Sequence, residues 1–457
     1  MWRDEVVTYD VSRRDLTVLW RTLGDADAVH GLYYLVTHGL FQWSGDIDPL
    51  LVLRVPSVLA MGAAAAGVAL IGERLAGPRA GTFAGLVFAV LPPVQRFAQE
   101  GRSYAMVCAL VVWATYALTS AVGSTHAAGL TSAVSAQGGR ARRAWWLYGA
   151  LLLVACLLHE FAVLALAAHA VWVPRAARRR WAVASGAVVV VVAPLAVVSE
   201  RQKAQVDWLY ANPWTYAGAV AVCLLGAGCA ASLRGRGVGG APAGALVRLA
   251  LPLLVVPTTL LLLCAPVKPL FVDRYVLYGM AGLALLLGAV LDRASRGGRG
   301  RASVAVVTAG AAVAALLPMT LHMRTPAGRL DDATSAAHAI RAAGREGDAV
   351  VYLPLRRRVW SLAVPGAADH LRDIALARSP VASATLYGTE VPAGVIARRM
   401  RAEPRIVLVT DPSGGRDEED AREKVKRALV AERRFATCRA WRGRGARVIV
   451  YALPGRC

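Results

Sequence analysis

Long apolar runs separated by short polar gaps fill the chain from about residue 51 to residue 320. A helix that crosses a bilayer needs about 20 predominantly apolar residues, within a range of roughly 17–25. The pattern therefore predicts a bundle of ten membrane-spanning helices. They are expected over residues 51–72, 82–97, 103–122, 145–158, 160–173, 181–199, 213–232, 246–266, 272–292 and 302–320.

The run 145–173 is too long for one upright helix and short for two, and it carries His159 and Glu160 at its middle. A charged side chain at the centre of a bilayer costs at least about 2.5–3.5 kcal/mol. We therefore predict two short helices that meet at an external turn, where His159 and Glu160 reach water. A single tilted helix is the alternative.

The first 50 residues mix polar and aromatic side chains without a long apolar run. Residues 10–23 predict a short amphipathic helix, which ends at the acidic, glycine-containing stretch 24–27. Residues 31–43 predict a second short helix at the membrane surface, with Tyr33, Tyr34 and Trp43 at the level of the lipid headgroups.

Residues 327–457 have the patterning of a soluble globular domain, in which predicted strands alternate with predicted helices. Helices are expected over 331–344 and 416–435, and strands over 348–353, 405–410 and 447–453. This alternation predicts a small α/β domain with a parallel sheet. Cys438 and Cys457 are able to form a disulfide if the domain lies in an oxidising compartment.

The composition supports a membrane protein. The chain of 457 residues is 56% hydrophobic and only 18% charged, and its 52 lysines and arginines against 30 acids give a net charge of +22. A strongly basic balance is also found in nucleic-acid-binding proteins. Here the arginines lie between apolar runs rather than on one soluble face, which is the pattern of cytoplasmic loops beside anionic lipid. The charge therefore indicates membrane lipid, not nucleic acid, as the partner.

The arginines are concentrated in every second gap, and arginine-rich gaps stay in the cytoplasm. These gaps carry Arg74, Arg79, Arg140, Arg142, Arg143, Arg175, Arg178, Arg179, Arg180, Arg234, Arg236, Arg293, Arg296, Arg299 and Arg301. Residues 1–50 are then an external catalytic loop, residues 51–320 the transmembrane domain, and residues 327–457 an external domain. The expected fold class is an α-helical polytopic membrane protein of about ten spans with a small C-terminal α/β extracytoplasmic domain.

Carboxylates, histidines, glutamine and aromatic residues collect in the gaps on the predicted external face. Transfer of a sugar from a lipid phosphate needs a base for the acceptor hydroxyl, cations for the leaving phosphate, and aromatic rings for sugar and lipid. The arginines beside Gln99-Glu100 and at Arg274 are candidates for the phosphate, since guanidinium matches phosphate oxygens bidentately. Asp4 or Glu5 is the candidate base.

Four stretches in order resemble motifs of the GT-C membrane glycosyltransferases. The closest group is the bacterial family-39, dolichyl-phosphate-mannose-protein mannosyltransferase-like proteins, which are relatives of protein O-mannosyltransferases and of aminoarabinose transferase. The stretches are Trp2-Arg-Asp4-Glu5-Val-Val-Thr8, Asp27-Ala-Val-His30-Gly-Leu-Tyr33-Tyr34-Leu, Gln99-Glu100-Gly-Arg102-Ser-Tyr104-Ala and Arg274-Tyr275-Val-Leu, and Arg54-Val-Pro56-Ser57 fits the start of the following span. The resemblance covers about residues 1–320.

The resemblance implies a polyprenyl-phosphate sugar donor, often of mannose, with Asp4 as the catalytic acid/base and Glu5 beside it. The acceptor is left open among a protein, a glycolipid and a wall polymer. The substrate-binding set that it implies is His30, Tyr33, Tyr34, Gln99, Glu100, Arg102, Tyr104, His159 and Arg274. The resemblance implies no particular cofactor, and a divalent cation on Asp4, Glu5 and Glu100 is left open.

The chain departs from the family pattern at three places. Gly31 replaces the two prolines that follow the motif histidine, and His159 is followed by glutamate instead of an aromatic residue. The family also has a span before its acidic loop, whereas this sequence begins inside the loop. We therefore expect an apolar span to be encoded upstream of Met1; the alternative is that the protein lacks this first span.

Two other functions are weighed against sugar transfer. A secondary transporter usually has ionisable residues at mid-membrane and internal repeats, and neither is evident here apart from His159-Glu160. A non-catalytic membrane protein whose external domain binds a wall component is the other alternative, and the acids at positions 4 and 5 count against it.

Overall fold

The computed structural model describes the whole chain except residues 129–133, 203–211, 235–240, 297–298, 330, 413–419 and 433. The chain forms two compact units. A helical unit contains Asp27–Tyr33 and Arg54–Leu321, and a terminal unit contains Met1–Ala26, Tyr34–Leu53 and His322–Cys457.

Long helices build the helical unit. They are α4 (Pro49–Ala76), α5 (Pro78–Val90), α6 (Pro92–Phe97), α7 (Tyr104–Ala128), α8 (Val134–Leu158), α9 (Leu164–Trp172), α10 (Arg178–Arg201), α11 (Pro213–Arg234), α12 (Ala241–Cys264), α13 (Gly279–Ser295) and α14 (Arg299–Met323). Within the described residues, seven of the predicted runs lie in helices long and apolar enough to cross a membrane. The predicted runs 82–97, 160–173 and 272–292 form shorter helices.

Helix breaks explain the shorter elements. The run 82–97 is not one helix, because Leu91 is extended before Pro92 and a residue that precedes proline avoids the helical region. The helix expected from residue 272 begins only at Gly279, and Asp273–Val276 forms a 3-10 turn. His159 is extended between α8 and a 3-10 turn over Glu160–Val163, so the predicted break is present. The expectation that His159 reaches water is wrong, because its side chain is buried.

Small residues allow the helices of this unit to pack closely. A Cβ added at Gly282 on α13 would lie 2.3 Å from the carbonyl oxygen of Ala250 on α12. A Cβ at Gly81 on α5 would lie 2.4 Å from the carbonyl oxygen of Ala69 on α4. Close backbone approach of this kind drives helix association in lipid, where the hydrophobic effect does not act between helices.

The N-terminal segment is mainly helical and belongs to the terminal unit, apart from the residues at 27–33. Its helices are α1 (Arg3–Ser12), α2 (Leu16–Asp25) and α3 (Gly31–Trp43). The amphipathic helix expected over 10–23 is therefore broken after Ser12. A core of Val6, Val11, Leu19, Trp360 and their neighbours holds α1 and α2 within the unit.

A mixed sheet forms the rest of the terminal unit. Its strands are β1 (Ala349–Leu353), β2 (Arg372–Asp373), β5 (Arg405–Thr410), β6 (Ala436–Gly443) and β7 (Ala446–Ala452), in the order β2-β1-β5-β7-β6; β3 (Leu376–Arg378) and β4 (Thr389–Glu390) form a separate pair. Helices α15 (Ala333–Ala343), α16 (Pro380–Ser383), α17 (Ala393–Ala402) and α18 (Ala421–Ala431) accompany them. Alternate residues of β1 and β5 enter separate cores on the two faces of the sheet.

The prediction of a parallel sheet is wrong in part. β1 pairs parallel with β2 and β5, but β7 runs antiparallel to β5 and β6. The β6–β7 hairpin turns at Gly445, whose φ is 84°, and β6 was missed because its residues are largely exposed and lack an apolar face. Cys438 and Cys457 form a disulfide, which the sequence had left open.

Candidate active site

Four helix breaks of the helical unit carry the predicted binding residues other than Tyr33 and Tyr34, which lie on α3. These breaks are the 3-10 turn Ala28–His30, the turn before α7, the extended His159 and the 3-10 turn Asp273–Val276. Backbone polar groups at helix ends are freed from helical hydrogen bonds and need other partners. Polar side chains therefore concentrate at these four positions.

A hydrogen-bonded chain joins Asp27, His30 and Arg102. Asp27 Oδ1 lies 2.8 Å from His30 Nδ1, and Arg102 Nη2 lies 3.0 Å from His30 Nε2. A guanidinium only donates, so Nε2 must accept, and the proton of a neutral His30 must be on Nδ1, where it donates to Asp27. Asp27 adopts a left-handed conformation with φ 58°, which a short polar side chain tolerates better than most. The chain fixes the tautomer of His30 and the direction of Arg102.

Ser57 on α4 holds the turn before α7. Its hydroxyl donates to the carbonyl oxygen of Glu100 over 2.7 Å. Glu100 is buried, and its Oε1 lies 3.4 Å from Arg96 Nε. Gln99 donates its amide to the carbonyl oxygen of Gln95 over 2.8 Å. The turn is thus fixed on both sides of Glu100, which places Arg102 beside His30.

Aromatic rings surround the second arginine of the cluster. The guanidinium carbon of Arg274 lies 5.3 Å from the ring centre of Tyr104 and 5.8 Å from that of Tyr275. Tyr275 stacks on Phe161 at 4.8 Å and lies 4.7 Å from the ring of His159. A guanidinium over the face of an aromatic ring gains cation–π attraction, and the charge of Arg274 is not neutralised by these rings.

His159 closes the cluster from the break between α8 and the following 3-10 turn. Its ring lies 5.6 Å from that of His30 and 5.4 Å from that of Tyr104. Burial lowers the pKa of His159 well below its usual value, and the nearby His30, Arg274 and Arg102 lower it further. A neutral His159 beside two arginines has one ring nitrogen that accepts and one that donates.

The structure brings together His30, Glu100, Arg102, Tyr104, His159 and Arg274 from the predicted binding set, with Gln99 on the adjoining turn. Tyr33 is fully buried in the core of the helical unit. Tyr34 is fully buried in a core of the terminal unit, together with Val6 and Leu19. The burial of both tyrosines means that the expected placement at lipid headgroups is wrong.

Asp4 and Glu5 lie in the first turn of α1 in the terminal unit. Glu5 is fully buried and accepts from the backbone N–H of Trp2 over 3.3 Å, so it caps its own helix. Asp4 Oδ1 lies 3.4 Å from Arg3 Nε. The external loop predicted around these acids is therefore helical, and Glu5 has a structural role at the start of α1.

Sequence reasoning left four residues out of the predicted set. Asp27, Ser57 and Tyr275 lie within the family-like motifs, so their positions next to predicted site residues could have indicated them. Phe161 follows His159-Glu160 at the break and carried no motif. Their roles come from contacts between distant segments, which spacing along the chain does not report.

The cluster is suited to an anion. Arg102 and Arg274 are both buried, and an arginine stays charged when it is buried. Two guanidiniums in a desolvated site offer bidentate hydrogen bonds to phosphate. Among the described residues, no group of three or more His, Cys, Asp and Glu side chains is arranged to hold a metal ion.

Comparison with solved structures identifies the fold. The crystal structure of ArnT from Cupriavidus metallidurans in the apo state matches with a TM-score of 0.57 and 13% sequence identity, over 98% of this chain and 93% of that chain. The structure of the same protein bound to undecaprenyl phosphate matches with a TM-score of 0.54 and 15% identity, over 98% of this chain and 96% of that chain. No family model and no curated protein matches the sequence. The chain therefore has an ArnT-like, GT-C membrane fold.

Proposed function

We propose that the protein transfers a sugar from a polyprenyl-phosphate donor to an acceptor outside the cytoplasm. The observation that carries the proposal is the pair of buried arginines, Arg102 and Arg274, among His30, His159 and aromatic rings. The matching fold has been solved in ArnT bound to undecaprenyl phosphate, which supports a polyprenyl phosphate as the lipid partner.

The arginines hold the phosphate in this proposal. Arg102 is aimed by His30, and Arg274 is held over Tyr104. Preorganised donors in a site with little water stabilise the charge that develops on a leaving phosphate. The rings of Tyr104 and Tyr275 supply apolar contact for the sugar or the first isoprene unit.

The transfer breaks the bond between sugar C1 and the phosphate oxygen and forms a bond between C1 and the acceptor oxygen. The acceptor hydroxyl gives its proton to a carboxylate, and polyprenyl phosphate leaves with the negative charge. By the resemblance of its motif, Asp4 is the proposed base, and the capping role of Glu5 makes Asp4 the better candidate of the two.

The sugar that we propose is mannose or a close relative, again from the motif resemblance. Arginine placement along the chain supports an orientation in which the site and the C-terminal domain are extracytoplasmic. The acceptor is proposed as a class, a hydroxyl group of a protein, a glycolipid or a wall polymer.

The test is transfer in isolated membranes from undecaprenyl-phosphate mannose that carries a labelled sugar, with endogenous acceptors. We expect Asp4→Asn to lower the transfer rate at least about 100-fold, as loss of a general base does. Arg102→Gln and Arg274→Gln should each weaken binding of undecaprenyl phosphate about tenfold or more, since hydrogen bonds to charged groups contribute roughly 1.5–3 kcal/mol.

Arg143→Gln is the matched control, because Arg143 is exposed on α8 and lies outside the cluster. It should bind and transfer like the parent protein. Undiminished lipid binding in both site variants would contradict the phosphate site. Full transfer by Asp4→Asn would contradict only the choice of base.

A further inference from the structure

A cavity of about 380 Å³ lies within the terminal unit, between the end of α1 and the segment 361–369. Its volume is in the range of small-molecule sites, which runs from roughly 300 to 1,000 Å³. The cavity is not part of the proposed transfer site, whose arginines belong to the helical unit. The charges and walls of the cavity indicate what it accommodates.

Arg14 lines the cavity and is held in place by two hydrogen bonds. The residue is 4% exposed, its Nη2 donates to Asp10 over 2.6 Å, and its Nη1 donates to Thr22 over 2.9 Å. Its Nε is buried and has no hydrogen-bond partner among the described residues. Because this atom is closed to solvent, Arg14 shapes the wall of the cavity, and the polar groups open to a ligand are those of the rim.

The rim has both signs of charge. Arg13 donates to the Tyr9 hydroxyl, and its guanidinium carbon lies 5.0 Å from the Tyr9 ring centre. Asp15 and Asp369 line the cavity as exposed carboxylates. Since Arg14 is balanced by Asp10, the rim carries one cation and two anions. A phosphate would be repelled by the two carboxylates. A protonated polyamine has donors only, so it cannot accept a hydrogen bond from the Arg13 guanidinium.

A neutral ligand with many hydroxyl groups matches this set. Each hydroxyl both donates and accepts, so carboxylates and guanidiniums can be satisfied together. Ser361 adds a hydroxyl, and Leu362, Val364 and Val381 supply an apolar wall for the carbon face of a ring. A pyranose has an apolar carbon face and polar hydroxyl groups at its edge, and this mixed lining is complementary to both.

We propose that this cavity is a binding site for a neutral saccharide of one or two sugar units, separate from the transfer site. The site is formed by α1 and the 361–369 segment of the terminal unit. It would retain a glycan on the protein whether or not transfer takes place, so the proposal does not depend on the proposed activity.

The test is titration of the full chain in lipid nanodiscs with α-1,2-mannobiose, α-1,6-mannobiose, cellobiose and trehalose, followed by calorimetry and saturation-transfer NMR. Nanodiscs are used in place of alkyl maltoside detergents, because the headgroup of those detergents is itself a disaccharide and would compete for the site. We expect saturable binding of at least one disaccharide, and none of inorganic phosphate or putrescine at the same concentrations.

Three variants locate the binding. Arg13→Gln and Asp369→Asn should each weaken it about tenfold, a factor that corresponds to one hydrogen bond to a charged group. Val381→Trp fills the cavity from an exposed position and should abolish binding. Arg21→Gln and Glu346→Gln change exposed charges elsewhere in the same unit, and both should bind as the parent does.

Arg102→Gln separates this site from the transfer site, since it should lose undecaprenyl phosphate affinity and keep disaccharide binding. The proposal is overturned if none of the four disaccharides binds. It is equally overturned if binding is unchanged in all three cavity variants, or if phosphate competes with the sugar.

Discussion

Single residues in the candidate site act through the partners that orient them. Arg102 and His30 were recognisable from their motifs, but the bond between Arg102 Nη2 and His30 Nε2 joins residues 72 positions apart. The sequence also did not predict the left-handed backbone conformation of Asp27, because aspartate adopts this conformation only occasionally. The residue types of the site were therefore predictable from the sequence. The tautomer of His30 and the orientation of the Arg102 side chain depend on the fold.

The buried carboxyl of Asp331 makes the stability of the terminal unit depend on pH. It accepts from the backbone N–H of Arg3 over 2.8 Å, yet burial raises its pKa above the usual 3.8. A carboxyl whose pKa is raised by folding binds more protons in the folded state than in the unfolded state. Its ionisation therefore costs stability, and this loss develops as pH rises from about the unfolded pKa through the folded one.

We expect Asp331→Asn to raise the thermal midpoint of the terminal unit at pH 7.5 by about 1–3 °C, as modest point changes do in domains of this size. Asparagine keeps an oxygen for the Arg3 N–H and removes the buried charge. The difference from the parent should shrink at pH 4.5, which fluorescence-detected unfolding at the two values would show. A lower midpoint at pH 7.5 would mean that the charge of Asp331 stabilises the fold.

At the scale of helices and strands, long apolar runs predicted most of the long helices correctly. In the part of the chain that the structure describes, seven predicted spans lie in helices of sufficient length, and the break at His159 is present. The predictions that failed involve local backbone effects. Pro92 interrupts the run 82–97, and Asp273 accepts from the N–H of Arg274 over 2.9 Å and so favours a turn over a helix. The exposed strand β6 has no apolar face, so its antiparallel pairing with β7 could not be read from hydrophobicity.

Contact between α12 and α13 depends on Gly282, where a Cβ would meet the Ala250 carbonyl at 2.3 Å. Gly282→Leu should push these helices apart and cost about 1–3 kcal/mol, the usual range for overpacking. The measurement is the thermal midpoint and the yield of folded protein in nanodiscs. We expect both to fall.

Gly310→Leu is the matched control for that experiment. Gly310 is on α14 and has no atom within 4 Å of an added Cβ. Both substitutions replace glycine by leucine inside a long helix and gain the same helical propensity. Equal midpoints for the two variants would show that close α12–α13 packing is not needed for stability.

For the whole molecule, the sequence distinguished an apolar middle region from a globular C-terminal region. It did not predict which segments belong to each of the two units. The core around Trp360 contains Val6 and Leu19, more than 300 positions earlier along the chain. Contacts over such distances leave no periodic signal. The acids at positions 4 and 5 therefore looked like loop residues, although α1 is packed into a unit with the C-terminal sheet.

The Cys438–Cys457 disulfide bears on orientation. Disulfides persist in oxidising compartments and are rare in the cytosol, and arginine-rich gaps favour the cytoplasmic side. Both observations support the proposal that the C-terminal domain is extracytoplasmic. A cysteine introduced at exposed Arg398 on α17 should therefore react with a membrane-impermeant maleimide in intact cells, in a Cys264→Ser background that removes an exposed thiol. A cysteine at exposed Arg143 on α8 should react only after lysis. The reverse labelling pattern would invert the topology and, with it, place the proposed sugar transfer on the cytoplasmic side.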